Sequence, residues 1–387
     1  MARTAVLVDA VRTPLGGRNG RLRSWHPVEL AAVTLRALVE RNPLDPALID
    51  DVVMGCVMQV GEQGLNIGRN AVLAAGYPDT VPATTVDREG ASSQQAVHFA
   101  AQGVMSGAYD VAVAAGVEVM TRIPMGATLT NRELGLPFSR SIADRYAPVG
   151  GLQPQGIGAE LVAERWGISR EDCDRFSAES HRRAAQATAE GRFALEIVPV
   201  DDVGGHQMTG DEGISSRCTV DTLARLKSAY RPGGRITAGN SSQISDGASA
   251  ALIMGADVAD TLGLTPRARF HAFALAGVDP VTVLTGTIPA TRKVLATAGL
   301  TVADIDLFEV NETFASVVLA WQQELGADPA VTNVNGGAIA LGHPSGCSGT
   351  RLLATLLNEL ERTGGRFGLQ TMCGGGGQAT ALVIERL

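Results

Sequence analysis

Cysteine, aromatic side chains and charge are all scarce in this sequence. Of 387 residues, five are cysteine, 4% are aromatic and 19% are charged. Cys56, Cys173, Cys218, Cys347 and Cys373 are an odd set with no two at CxxC spacing. That argues against a disulfide framework or a structural metal site and for a reducing, cytoplasmic setting. No stretch reaches the about 18 uninterrupted apolar residues of a membrane span. The opening MARTAVLVDAVRT has the pattern of a strand rather than of a signal peptide. A net charge of −8 provides no basic face for general nucleic-acid binding, and His181, Arg182 and Arg183 form only a local group suited to a phosphate.

Glycine (46 residues) and hydrophobic side chains (45%) are plentiful instead. At about 150 residues per domain the length suggests two or three domain-sized units, enough to bury a large core without covalent staples. The opening third alternates Val- and Ala-rich runs at 4–10, 51–57 and 111–119 with helical spacing at 27–40 and 92–106. Strands alternating with helices imply a mostly parallel sheet covered on both faces, an α/β fold. From 121 to 249 short helical patterns (158–166, 170–190) sit among polar and Gly/Pro-rich turns, an excursion too long for one loop. The last third returns to the first rhythm. Strands are expected at 250–255, 267–276, 305–310, 331–335, 367–373 and 379–385, with helices at 289–298, 312–325 and 348–362. The two ends look like copies of one strand–helix plan with an insertion between them.

Four segments are too unusual for scaffolding. His343 lies between a stiff glycine-rich bend, Gly336-Gly337, and Pro344; it is either a satisfied core or surface histidine or an imidazole held at a fixed place, as a general base or thiol activator requires. Cys373 heads four glycines, Gly374-Gly375-Gly376-Gly377, so its thiol is either a small buried hydrophobe or is presented to a ligand against open backbone. The Lys and Ser/Thr of a nucleotide-triphosphate loop are absent after them. Asn311, in Asn311-Glu312-Thr313-Phe314, suits a cap on the following helix, a holder of a water or oxyanion at the sheet edge, or both. The fourth, Thr237-Ala238-Gly239-Asn240-Ser241-Ser242, is small and polar enough for a ligand to lie against its backbone, though a plain turn explains it almost as well.

In this order and spacing the four segments, with Val117-Glu118-Val119-Met120, resemble the thiolase family, whose members cleave or form 3-ketoacyl-CoA. The likeness covers essentially the whole chain. It implies the five-layered α-β-α-β-α thiolase fold, two βαβαβαββ halves (1–120 and 250–387) carrying an inserted loop domain (121–249). It implies ping-pong acyl transfer through two cysteines, with coenzyme A and acyl-CoA as substrates and no separate cofactor or metal. Cys373 matches the cysteine that moves a proton at the acetyl carbon or the incoming thiol. His343 matches the histidine that activates the nucleophile and helps form an oxyanion hole, and Asn311 the residue that holds a water there. Ser242 and Ala238 match positions lining the pantetheine channel, with Tyr230, Ile244, Phe314 and Gln155 nearby. A homodimer or homotetramer is implied, with residues 122–150 the candidate contact.

One expected residue is missing. The acyl-accepting cysteine belongs in Val86-Asp87-Arg88-Glu89-Gly90-Ala91-Ser92, between an extended stretch and a helix, and its position is Gly90. No thioester forms on glycine, so the field of a helix N-terminus and an adjacent histidine acts on no thiol. The sequence therefore predicts a thiolase-type acyltransferase with acyl transfer nearly abolished. A non-catalytic CoA-ester-binding protein is the alternative. A decarboxylating condensing enzyme of the same fold fits less well, because such enzymes pair their cysteine with two histidines or with His and Asn. Pro154-Gln155-Gly156 and Ser215 stand where relatives often carry other CoA contacts.

Overall fold

The computed structural model describes residues 3–131, 133 and 135–387. Its strands are β1 (Ala5–Arg12), β2 (Gly16–Gly17), β3 (Asp51–Gly55), β4 (Ala83–Val86), β5 (Val111–Val119), β6 (Val200–Asp201), β7 (Gln207–Met208), β8 (Ser245–Gly255), β9 (Ala268–Gly277), β10 (Leu307–Val310), β11 (Phe367–Gly374) and β12 (Gln378–Arg386). Its α-helices are α1 (Pro27–Arg41), α2 (Ile67–Ala74), α3 (Ser92–Ser106), α4 (Arg140–Tyr146), α5 (Gln155–Arg165), α6 (Arg170–Ala189), α7 (Val220–Leu223), α8 (Ala256–Leu262), α9 (Thr287–Ala298), α10 (Ala315–Leu325) and α11 (Ser348–Thr363). β1, β5 and β8 are buried along their whole lengths, as expected of apolar runs covered on both faces.

The main sheet runs β10-β11-β12-β9-β1-β8-β5-β3-β4, with β2 beside β8. Its seam is the contact of β9 with β1, made by Val6↔Arg269 and Leu7↔Ala268. Outward from the seam the first half places its strands as first, fifth, fourth, second and third in chain order (β1, β8, β5, β3, β4). The second half repeats that order as β9, β12, β11 and β10. Its third strand is reduced to one bridge, Thr332 with Phe308. The repeat suspected in the sequence is thus present in the topology. α1 and α2 cover the outer face of the first half, and α9 and α10 that of the second. α3 and α11 pack between the halves and share one apolar cluster, which completes five layers. The two helices touch so closely that a Cβ on Gly349 of α11 would overlap the backbone of Gln94 in α3.

Four expectations need correction. The sheet is not mostly parallel: only β3–β4, β3–β5 and β10–β11 pair parallel, whereas β1, β8, β9 and β12 at its centre pair antiparallel with every neighbour. β8 begins at Ser245 and lies between β1 and β5, so a second half starting at 250 would cut a strand of the first. The strand expected at 331–335 is a 3-10 turn, Pro329–Val331, capped by Asp328. There Asn333, at φ +48°, replaces the ladder with its side chain: its Nδ2 donates to Val310 O (2.9 Å) and its Oδ1 accepts from Val310 N (2.8 Å). The helix expected from 312 begins at Ala315, because Glu312 turns inward and accepts bonds from Ser180 Oγ (2.7 Å), Asn333 Nδ2 (3.1 Å) and Ile339 N (3.1 Å).

The insertion folds against the second half, where Ser316 Oγ of α10 donates to Ala159 O of α5 (3.0 Å). A buried ion pair fastens it to the first half, Arg12 Nε donating to Glu196 (2.7 Å) and Arg12 Nη1 to Asp211 (2.6 Å). Positions 132 and 134 of the expected contact segment lie outside the described residues. Among the described residues, no helix is long and apolar enough to cross a membrane.

Candidate active site

Four loops at the strand ends converge on a cavity of about 750 Å³. They follow β4, β10 and β11 and precede α11; the insertion supplies most of the remaining wall, with Arg18, Val57 and Met58 of the first half. Gly90, His343 and Cys373 line this cavity, as do Gln155, Tyr230, Ala238, Ser242, Ile244 and Phe314. Asn311 lies against it through its bonds to two of the lining residues. The structure therefore brings together the positions matched to the catalytic residues and the pantetheine channel, whereas Ser215 does not line this cavity. Tyr230 and Phe314 meet edge to face at 6.1 Å and close one side. A second cavity, about 430 Å³ between α6 and α10, contains none of these residues.

The second half contributes a chain of polar contacts. His343 Nδ1 lies 2.6 Å from Ser348 Oγ in the first turn of α11, which turns Nε2 toward the cavity. Asn311 Nδ2 stands 3.4 Å from that Nε2 and donates to Thr313 Oγ1 at 2.8 Å. Thr313 Oγ1 in turn lies 3.2 Å from Cys373 Sγ. Burial, with a smaller push from the Arg351 guanidinium, lowers the His343 pKa to about 4, so the imidazole is neutral near pH 7. Burial pushes the Cys373 thiol up, partly offset by its contact with Thr313. The pair is a neutral imidazole and a protonated thiol. Asn311 Oδ1 is buried without a partner among the described residues, an acceptor open to a bound donor.

The first half contributes the loop before α3. Ser92 Oγ accepts from Arg88 N (2.9 Å) and donates to Glu89 O (2.6 Å), while Glu89 N donates to Asp87 Oδ1 (2.6 Å). These bonds hold Glu89 at φ +50°, left-handed for a residue with a side chain. A Cβ on Gly90 would point at the cavity, 3.0 Å from His343 Nε2 and 3.6 Å from the Cys373 carbonyl. Gly90 has no positive φ, so its backbone admits a side chain once the imidazole gives by a few tenths of an ångström.

Sequence reasoning passed over Glu89 and Thr313, both of which line the cavity. Glu89 was readable as the one carboxylate touching the nucleophile position. Thr313 was hidden inside a segment read as a helix start. The cap proposed for Asn311 is not present, since α10 opens after Phe314 and the Asn311 amide faces Thr313 and His343. The phosphate-attracting group is also engaged elsewhere. Arg182 and Arg183 both pair with Glu179, and buried His181 accepts from Ser215 N.

Comparison with known proteins gives a consistent result. A model of the thiolase N-terminal domain matches residues 5–257, and one of the thiolase C-terminal domain matches 264–386. The chain is 48% identical to the steroid 3-ketoacyl-CoA thiolase FadA6 of Mycobacterium tuberculosis, over 99% of the chain and 94% of that protein. It is 46% identical to a 3-ketoacyl-CoA thiolase of Aeromonas hydrophila, over 99% of both. Among solved structures, the acetyl-CoA acetyltransferase of Bacillus anthracis superposes with a TM-score of 0.91 at 36% identity, over 100% of this chain and 99% of that one. Human mitochondrial 3-ketoacyl-CoA thiolase also gives 0.91, at 34% identity over 99% of both.

Proposed function

The chain belongs to the thiolase family, and we propose that it takes 3-ketoacyl-CoA-type thioesters into the cavity at Gly90 but is severely impaired in passing their acyl group to coenzyme A. The observation that carries this reading is the convergence of Asn311, His343 and Cys373 on a position that has no side chain. In this reading His343 is the base poised for a nucleophile, Cys373 handles the proton at the α-carbon, and Asn311 supports an oxyanion. Ala238 and Ser242 leave room for the pantetheine arm beside Tyr230, Ile244, Phe314 and Gln155. The CoA ester is substrate, and no further cofactor or metal is invoked. The protein works in the cytoplasm as a homodimer or homotetramer. Residues 122–150 form the contact, with Met125, Leu129, Phe138 and Val149 exposed in this chain. Sedimentation as a monomer at micromolar concentration would remove the oligomer claim.

Covalent nucleophiles commonly supply several orders of magnitude in rate, so a thiol at position 90 is expected to raise CoA-dependent cleavage of 3-ketoacyl-CoA by about 10³-fold or more. The test compares the chain with Gly90→Cys on short and long esters. An inactive parent and an active variant support the reading. If both are inactive while binding CoA esters, the non-catalytic binding protein takes its place.

A further inference from the structure

The nucleophile position is bare, yet the residue before it is a carboxylate that lines the same cavity. Glu89 is held in a left-handed conformation, which for a side-chain-bearing residue is a backbone strain found where function requires it. Its carboxyl group lies on the Cys373 loop: a Cβ on Gly375 would stand 2.9 Å from Glu89 Cδ. No hydrogen bond from the described residues contributes to its charge state; burial, then Asp87 and Glu118, hold its pKa above the ordinary carboxylate range. An unpaired carboxylate facing a thioester site has no evident structural duty.

The position of that charge decides which chemistry fits. Cys373 is the penultimate residue of β11, two residues before Gly375, and Glu89, Gly90, Cys373 and Gly375 line one cavity, so a substrate with C2 at the Cys373 thiol would direct C3 and its oxygen toward Gly90 and Glu89. A ketone attacked there would develop negative charge next to a carboxylate, which is repulsive. A hydroxyl there would instead donate to it.

We propose that this cavity cleaves 3-hydroxyacyl-CoA esters without a covalent intermediate, Glu89 accepting the proton of the 3-hydroxyl and Cys373 giving its proton to C2. The O–H pair becomes the C=O bond of an aldehyde or ketone. The C2–C3 bond breaks and its electrons pass to C2 as the thioester enolate, which takes the Cys373 proton to give acetyl-CoA or a 2-substituted homologue. Glu89 then returns its proton to the Cys373 thiolate through solvent, so no oxidant or reductant is required. The Ser348 hydroxyl donates to Pro344 O (2.9 Å), so His343 Nδ1 donates to Ser348 Oγ, Nε2 is an acceptor, and the second hydrogen of Asn311 Nδ2 is the donor available to the enolate oxygen. The same two groups could run dehydration only with their protons exchanged. Burial keeps the Cys373 thiol protonated, the state that cleavage requires.

The proposal rests on the reading that CoA esters occupy this cavity, and the experiment separates the two. The full chain is given 3-hydroxyacyl-CoA esters of several chain lengths, binding is measured by calorimetry, and acetyl-CoA and a hydrazine-trapped carbonyl product are quantified. Both products are expected in equal amounts, with one deuterium in the acetyl methyl group when the solvent is D2O. Glu89→Gln, a nearly isosteric change at a carboxyl group without hydrogen bonds, should lower turnover about 100-fold or more while leaving ester binding intact. Glu89→Asp should recover part of the rate, which a merely structural glutamate would not predict. Appearance of enoyl-CoA, tight binding without conversion, or equal turnover by Glu89→Gln would each overturn the cleavage proposal. Failure of the parent chain to bind any CoA ester would overturn the proposed function itself, and this inference with it.

Discussion

The two halves of the molecule share a strand order and a sheet, but they serve the cavity unequally. The second half brings Asn311, His343 and Cys373, linked through Thr313. The first half brings a glycine and a glutamate at the mouth of α3. In scaffolding, by contrast, the halves match closely. Glu118, near the end of β5, accepts from Val57 N (2.9 Å), Met58 N (3.1 Å), Gln63 Nε2 (2.6 Å) and Gly346 N (2.9 Å). Glu312, past β10, has the same duty with Ser180, Asn333 and Ile339. The difference shows that the framework and the chemistry are separable in this fold. A nucleophilic side chain is absent from one half while the buried carboxylate that ties its loops is in place.

The sharpest way to break that contrast is to make the first half reactive. Beyond the rate gain of about 10³-fold, Gly90→Cys should become covalently acylated when mixed with an acyl-CoA, visible as an added acyl mass on the intact protein. The parent should gain none. A variant that folds but is never acylated would mean that the inequality of the halves extends past position 90.

The next largest effect probes the scaffold. Glu118→Ala strands three backbone N–H groups, at about 1–3 kcal/mol for each buried donor left unpaired, so a loss of at least about 3 kcal/mol in denaturant unfolding is expected. Glu312→Ala strands one backbone N–H, the Ser180 hydroxyl and one Asn333 N–H, and should cost a similar amount. If only one of the two substitutions destabilises, the halves differ in framework as well as in chemistry.

Much of this was legible beforehand because the signals are short-range. The runs at 111–119 and 92–106 coincide with β5 and α3, since an apolar strand and an apolar helix face each declare themselves within one window. The site residues stood out because glycine and proline around them have no other purpose. What escaped notice depends on contacts distant in the chain. The 331–335 run is apolar enough for a strand, but the Asn333 side chain takes over the pairing with Val310. Asn311 was an equally good cap in sequence until Glu312 turned inward beside it. Glu89 acquires meaning only when the Gly375 backbone is seen against its carboxyl group.

The smallest predicted effect concerns the two helices that meet between the halves. His98 of α3 is buried edge-on to Phe273 at 4.9 Å, both ring nitrogens lack partners among the described residues, and burial lowers its pKa to about 3. An unfolded histidine takes up a proton near pH 6.5, whereas His98 stays neutral in the native state until about pH 3. Below pH 6.5 the unfolded state therefore binds more protons, and stability falls by about 1.4 kcal/mol per pH unit from this residue alone. His343 adds a similar slope down to about pH 4. The buried carboxylates work in the opposite sense: Glu309, pushed up to about 8, is protonated in the native state and favours folding as pH falls. Total acid sensitivity thus mixes both signs, and only a difference between variants isolates one group. His98→Leu should match the parent's pH dependence above pH 7 and exceed its stability by about 2 kcal/mol at pH 5 relative to that baseline, measured as urea midpoints at the two pH values. A parallel shift at both pH values would assign the effect to packing against Phe273 and not to the proton.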